Sequence, residues 1–139
     1  MGRRAQLLKS MALILIANDN YDLLECCRAI LEADGHVVEI VAGGEKAIQY
    51  ARACQPDAVV IDWVMPKTDG PTAIAALRAD PATAHLPILL MSGTEGAEAT
   101  SVEVGADAFL PKPFAAAELS AAVERLLEMT GRRSVATRR

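Results

Sequence analysis

The chain has 139 residues, 52% of them hydrophobic and only 4% aromatic, which is material for one aliphatic and alanine-rich core and little room for a second. Its net charge of -4 hides an uneven layout: residues 1–10 and 130–139 hold 7 of the 14 basic side chains and no acid, while residues 11–129 carry 7 - 18 = -11. A body so acidic excludes a nucleic-acid surface, and no run approaches the roughly 18 apolar residues of a membrane span.

The ends read as a basic N-terminal extension (1–10) and a basic, flexible C-terminal tail (130–139) around one domain (11–129). Arg3 and Arg4 ahead of an apolar run imitate an export signal, but the run stops on Asn18 and Asp19 and no small-residue cleavage site follows. Cys26, Cys27 and Cys54 are odd in number and lack metal or redox spacing, so they are expected to be small core residues in a reducing compartment. The expectation is a soluble cytoplasmic protein.

The first predicted element is the strand MALILIA (11–17), followed by a helix with Leu23, Leu24, Cys27, Ile30 and Leu31 on one face and Gly35 as its stop. A second strand, HVVEIVA (36–42), precedes a helix carrying Ala47, Ile48, Ala51 and Cys54 that ends before Pro56. DAVVID (57–62) and LPILLMS (86–92) are continuous apolar runs suited to strands covered on both faces. Between them lies a helix with Pro71 in its first turn, finished before Pro81, with Asp69-Gly70 as turn chemistry ahead of it. A weak fourth helix around Ala97 to Val104, with β-branched Thr100 and Val102, leads to the strand DAFLP (107–111). The last helix, about Ala115 to Met129, aligns Leu119, Val123 and Leu126. His36 and His85 fall near helix–strand junctions and read as surface residues.

Strict alternation of strand and helix predicts a doubly wound α/β domain, (βα)5, with a five-stranded parallel sheet of flavodoxin-like type and helices on both faces. Ligands in such sheets sit at the carboxyl ends of the strands. Those ends deliver Asn18, Asp19 and Asn20, then Asp62, then Ser92, then Lys112 and Pro113. Paired carboxylates suit Mg2+, an Asp can attack phosphorus, and a Lys with a hydroxyl can neutralise and hold the transferred group.

The ordered set ILIANDN, VVIDWVMPKTDG, LMSG and FLPKPF resembles the receiver domain of two-component response regulators, in its stand-alone form similar to the chemotaxis regulator. The resemblance covers residues 11–129. It implies that Asp62 is the phosphoacceptor for a histidine kinase or phosphotransfer protein, and that Mg2+ is held by Asp19, Asp62 and the backbone carbonyl of Val64. It further implies that Lys112, through a cis bond to Pro113, pairs with the phosphoryl group. Ser92 is expected to hydrogen-bond that group, and Phe109 to act as a rotamer switch for the face of helix four, strand five and helix five. Such a protein is no enzyme in the ordinary sense, since it catalyses only its own phosphorylation and dephosphorylation. Its expected output is a downstream protein partner or onward relay from a monomer or weak homodimer, with no residues remaining for an output domain.

One departure stands out. The family places two acids after strand one, the first reaching the metal through a water, and here that first position is Asn18, whose amide oxygen can still accept from such a water. That substitution removes a charge, so weaker Mg2+ binding and an altered phosphoryl lifetime are expected. It also supports a pseudo-receiver, a binding module independent of phosphorylation, as the alternative. An aspartate-nucleophile phosphatase needs an acid where Val64 stands, and a flavodoxin-like electron carrier needs a phosphate loop that NDNYD is not. Trp63, next to the nucleophile, is expected to be a partly exposed reporter.

Overall fold

The computed structural model describes residues 12–93 and 97–129. Along them β1 (Leu13–Ala17), α1 (Tyr21–Ala33), β2 (Val37–Val41), α2 (Gly44–Cys54), β3 (Ala58–Asp62), α3 (Gly70–Ala79), β4 (Ile88–Ser92), α4 (Ala97–Val104), β5 (Ala108–Pro111) and α5 (Ala116–Met129) alternate as the sequence predicts. The expected basic extensions, and Met11, lie outside the described residues. The strands form one parallel sheet in the order β2-β1-β3-β4-β5.

Two cores flank the sheet because successive strand residues point to opposite faces. Ile14, Ile16, Val60, Leu89 and Met91 face α1 and α5, where Leu24, Cys27, Leu31, Leu119, Val123 and Leu126 meet them. Leu15, Ala17, Val59, Ile61, Ile88 and Leu90 face the other way, onto Ala47 and Ala51 of α2 and Ala73, Ile74 and Leu77 of α3. Every residue of β3 and β4 is buried, as their unbroken apolar runs predict for central parallel strands.

Local polar chemistry sets where the helices begin and end. Asn20 caps α1, its side chain accepting from the Leu23 N–H at 3.1 Å, and Asp69 caps α3 by accepting from Thr72 at 2.9 Å. Gly35, at φ +98°, supplies the left-handed turn after α1 that side chains resist.

Arg78, in the last turn of α3, ties that helix to the segment between α4 and β5. Its Nε donates to the Gly105 carbonyl at 2.9 Å, its Nη1 to Ala84 at 2.9 Å and Leu86 at 2.6 Å, and its Nη2 to Asp107 Oδ2 at 2.7 Å. The same Asp107 oxygen accepts from Ile88 N–H at 2.9 Å, so the guanidinium and the start of β4 share one carboxylate. Arg78→Ala strands these acceptors and is expected to cost about 3 kcal/mol, lowering the thermal midpoint by roughly 10 °C. Urea unfolding measures it; a loss below about 1 kcal/mol would mean an ordinary surface pair.

Three expectations need correction. His36 is buried rather than on the surface, because α5 brings Glu124 Oε2 to 3.8 Å from its Nε2. Cys26 and Cys54 are exposed, and only Cys27 is a core residue. Their neighbours along each helix take the inward positions, and a thiol is small enough to sit on either side. His85 is exposed, as expected.

Candidate functional site at the carboxyl edge of the sheet

Asp62 closes β3, the middle strand of the sheet, and is 2% exposed. A carboxylate buried at that depth needs charge and hydrogen bonds to be tolerated. Its Oδ2 accepts from the Val64 backbone N–H at 3.2 Å. Its Oδ1 lies 2.5 Å from Lys112 Nζ in an ion pair, although it accepts no aligned hydrogen bond. Lys112 follows β5, reaching across the end of β4, and its peptide bond to Pro113 is cis. The Lys112 N–H donates to Ser92 O at 2.9 Å, which holds the ends of β4 and β5 together.

The remaining residues of the predicted set fall around this pair. Strand register pairs Ala17 with Ile61, so Asn18 stands beside Asp62 and is itself 1% exposed. Asp19, one residue on, is exposed and lines a cleft with Gly43, Gly44, Lys46, Lys67 and Thr68. Ser92 is buried one residue past Met91, the partner of Asp62 across β3 and β4. Val64 is exposed on the loop beyond Asp62, and Trp63 is half-buried against the α2 and α3 core.

Phe109 sits apart from this cluster. It is half-buried on β5, pairs with Leu90 in register, and lines a groove of about 350 Å³ with Leu110, Ala117, Ala121 and Arg125 of β5 and α5.

Beneath the site, Cys27 of α1 feels the same charges. Burial above all, then the neighbouring Cys26 thiol and the Asp62 carboxylate, pushes its thiol up to about 11 against the opposing pull of Lys112. A thiol held protonated in this way is a spacer, not a nucleophile.

Two features of the site escape sequence reasoning. The Cβ that any other residue would carry at position 70 would lie 2.5 Å from the Asp62 carbonyl oxygen and 3.0 Å from both Leu90 Cδ1 and Trp63 Cα. Gly70 also donates its N–H to Trp63 O at 2.8 Å, so it is the contact that lets α3 begin directly beneath the Asp62 loop. Gly44 plays a matching part on the other side, where a Cβ would meet the Thr68 carbonyl at 2.6 Å. The Asp-Gly pair ahead of Pro71 was the available signal for the first; Gly43-Gly44 offered no more than a loop.

The donor types at this rim fit a hard divalent cation. Asp19 and Asp62 offer carboxylates from adjoining strand ends and the loop offers backbone carbonyls, with no thiol or imidazole among them. Among the described residues no three His, Cys, Asp or Glu side chains gather into a metal-holding group. Two carboxylates with backbone oxygen leave a cation several of its waters, which is how Mg2+ is commonly held.

Comparison with known proteins agrees with this geometry. The response regulator MprA of Mycolicibacterium vanbaalenii is 35% identical over 119 residues, which are 84% of this chain and 51% of that protein. This chain thus spans about half the length of the curated relatives it matches. The chemotaxis response regulator CheY4 of Vibrio cholerae superposes with a TM-score of 0.79 at 28% identity, covering 84% of this chain and 99% of that one. The receiver domain of a sensor histidine kinase from Pseudomonas aeruginosa, which has a magnesium ion coordinated in its active site cleft, gives a TM-score of 0.77 at 29% identity over 86% of this chain and 98% of that one. Residues 14–124 match the response regulator receiver domain. The chain belongs to the response regulator receiver family of two-component signalling.

Proposed function

We propose that the domain receives a phosphoryl group on Asp62 from the phosphohistidine of a histidine kinase or phosphotransfer protein, and signals through a changed α4–β5–α5 face. The observation that carries this reading is a nearly fully buried carboxylate at the end of the central strand, paired with the one lysine that follows β5. An Asp62 oxygen attacks phosphorus, the P–N bond breaks, and the imidazole leaves with the electron pair. Lys112 neutralises charge on the phosphoryl oxygens and Ser92 donates its hydroxyl to one of them. Asp19, Asp62 and the Val64 carbonyl hold Mg2+, which when bound offsets the negative charge brought together at this edge. Asn18 stands in for the usual first acid. Phe109, beside the groove against α5, is the side chain that transmits the change to a protein partner.

In this reading residues 11–129 are the receiver unit, working in the cytoplasm as a monomer or weak homodimer, and the chain catalyses only the gain and loss of its own phosphoryl group. No helix among the described residues is long and apolar enough to cross a membrane. The pseudo-receiver alternative rests on Asn18 alone, and the comparisons lend it no support. Incubation with acetyl phosphate and Mg2+ is expected to add one phosphoryl mass to the intact protein and none to Asp62→Ala. A wild-type protein that gains no mass from acetyl phosphate, a phosphoramidate or a kinase would sink the proposal in favour of that alternative.

A further inference from the structure

Asn18 has one half of its side-chain amide engaged and the other half not. Its Oδ1 accepts the Asn20 N–H at 2.9 Å, while Nδ2 is sealed from solvent with no acceptor among the described residues. The amide cannot be turned around, because the reverse orientation would set NH2 against the Asn20 N–H, donor against donor. Asn20 is itself committed as the cap of α1, so the turn holds the amide in place. Strand register sets this donor beside Asp62, whose Oδ1 accepts no aligned hydrogen bond.

We propose that Asn18 is an anion-side donor, its Nδ2 binding an oxygen of the phosphoryl group on Asp62 rather than a water on the cation. The inference rests on the phosphoacceptor reading of Asp62. A water that gives its lone pair to a cation turns its hydrogens outward and needs acceptors; the free half of this amide is NH2, which provides none, and Oδ1 is already bound to the Asn20 N–H. A phosphoryl group presents three acceptor oxygens and needs donors. An acid at this position would attract the cation and repel those oxygens. Asn18 therefore shifts the site from holding metal toward holding the phosphoryl group, and a buried donor without an acceptor gains one only when that group arrives.

The test titrates the full chain with Mg2+ alone, and with beryllofluoride, a tetrahedral phosphoryl mimic, at fixed Mg2+, both followed by Trp63 fluorescence. Asn18→Ala is expected to weaken beryllofluoride about tenfold while leaving Mg2+ within about twofold, and Asn18→Asp to tighten Mg2+ while weakening beryllofluoride. In 15N-labelled wild type, where no substitution disturbs the fold, the Asn18 NH2 pair should shift with beryllofluoride and not with Mg2+ alone. Equal weakening of both ligands in Asn18→Ala, or an NH2 pair that responds to Mg2+ alone, would overturn the donor role. If Asp62→Ala abolishes beryllofluoride binding and Asn18→Ala leaves it intact, only the donor role falls. If Asp62→Ala binds it like wild type, the phosphoacceptor reading falls and takes the donor role with it.

Discussion

Lys112→Met is expected to destabilise the domain by about 2 kcal/mol and to slow phosphoryl uptake from acetyl phosphate by at least about 100-fold. The physical cause is asymmetric burial. The Asp62 side chain is 4% exposed and the Lys112 side chain 30%, with 2.5 Å between the charges. Removing the ammonium leaves a nearly buried carboxylate without its counter-charge. Removing the carboxylate frees a lysine that can swing into solvent. Asp62→Asn should accordingly cost less stability than Lys112→Met, and adding Asp62→Asn to Lys112→Met should recover most of the loss. A double-mutant cycle from urea unfolding at equal m-values measures this. Equal costs for the two single substitutions, with no coupling, would mean that the pair is already solvated and that Lys112 has no hold on Asp62.

Gly70→Ala should be nearly as damaging, though position 70 carries no chemistry. The new methyl would lie 2.5 Å from the Asp62 carbonyl oxygen and 3.0 Å from Trp63 Cα, backbone that cannot rotate away. Either α3 backs off or the Asp62 loop is pushed, at a cost of about 3 kcal/mol, and a displacement of about 1 Å at the proposed nucleophile slows transfer about 100-fold. Gly93→Ala is the control on the same rim. Among the described residues the nearest neighbour of that methyl is Lys112 Cβ at 3.7 Å, ordinary contact, so it should change stability by no more than about 0.5 kcal/mol. Unfolding free energies and the rate of mass gain report both effects. A Gly70→Ala protein as stable and as fast as wild type would show that the loop and helix can part freely.

Much of the fold was legible because two simple periodicities carry it. The continuous runs 57–62 and 86–92 became the two fully buried strands β3 and β4, and the spacing of Leu24, Cys27 and Leu31 became the inward face of α1. The gathering of Asp62, Lys112, Ser92 and Asn18 at one edge followed from a single rule, that parallel strands present their carboxyl ends together. The abrupt polar break after Ala17 also had a local cause visible in the residue types, since Asn18 and Asn20 fold the turn and cap α1.

What stayed illegible depends on approach between segments distant in sequence. Cys54 follows Ala47 and Ala51 at helical spacing and read as a core residue, yet at the last position of α2 it is exposed. His36 read as a surface residue because nothing local shows that Glu124 of α5 will lie across it. Gly70 read as turn chemistry because its role is a space it leaves empty. Residue types and their spacing therefore determined the element order, the fold class and which side chains reach the functional edge, because these follow from backbone period and strand direction. Tertiary structure alone decided the burial of Asp62 against a part-exposed lysine, the placement of the Asn18 amide beside Asp62, and the closeness of Gly70 to the loop. Each of these is set by the separation of strands and helices once packed, a distance no local pattern encodes.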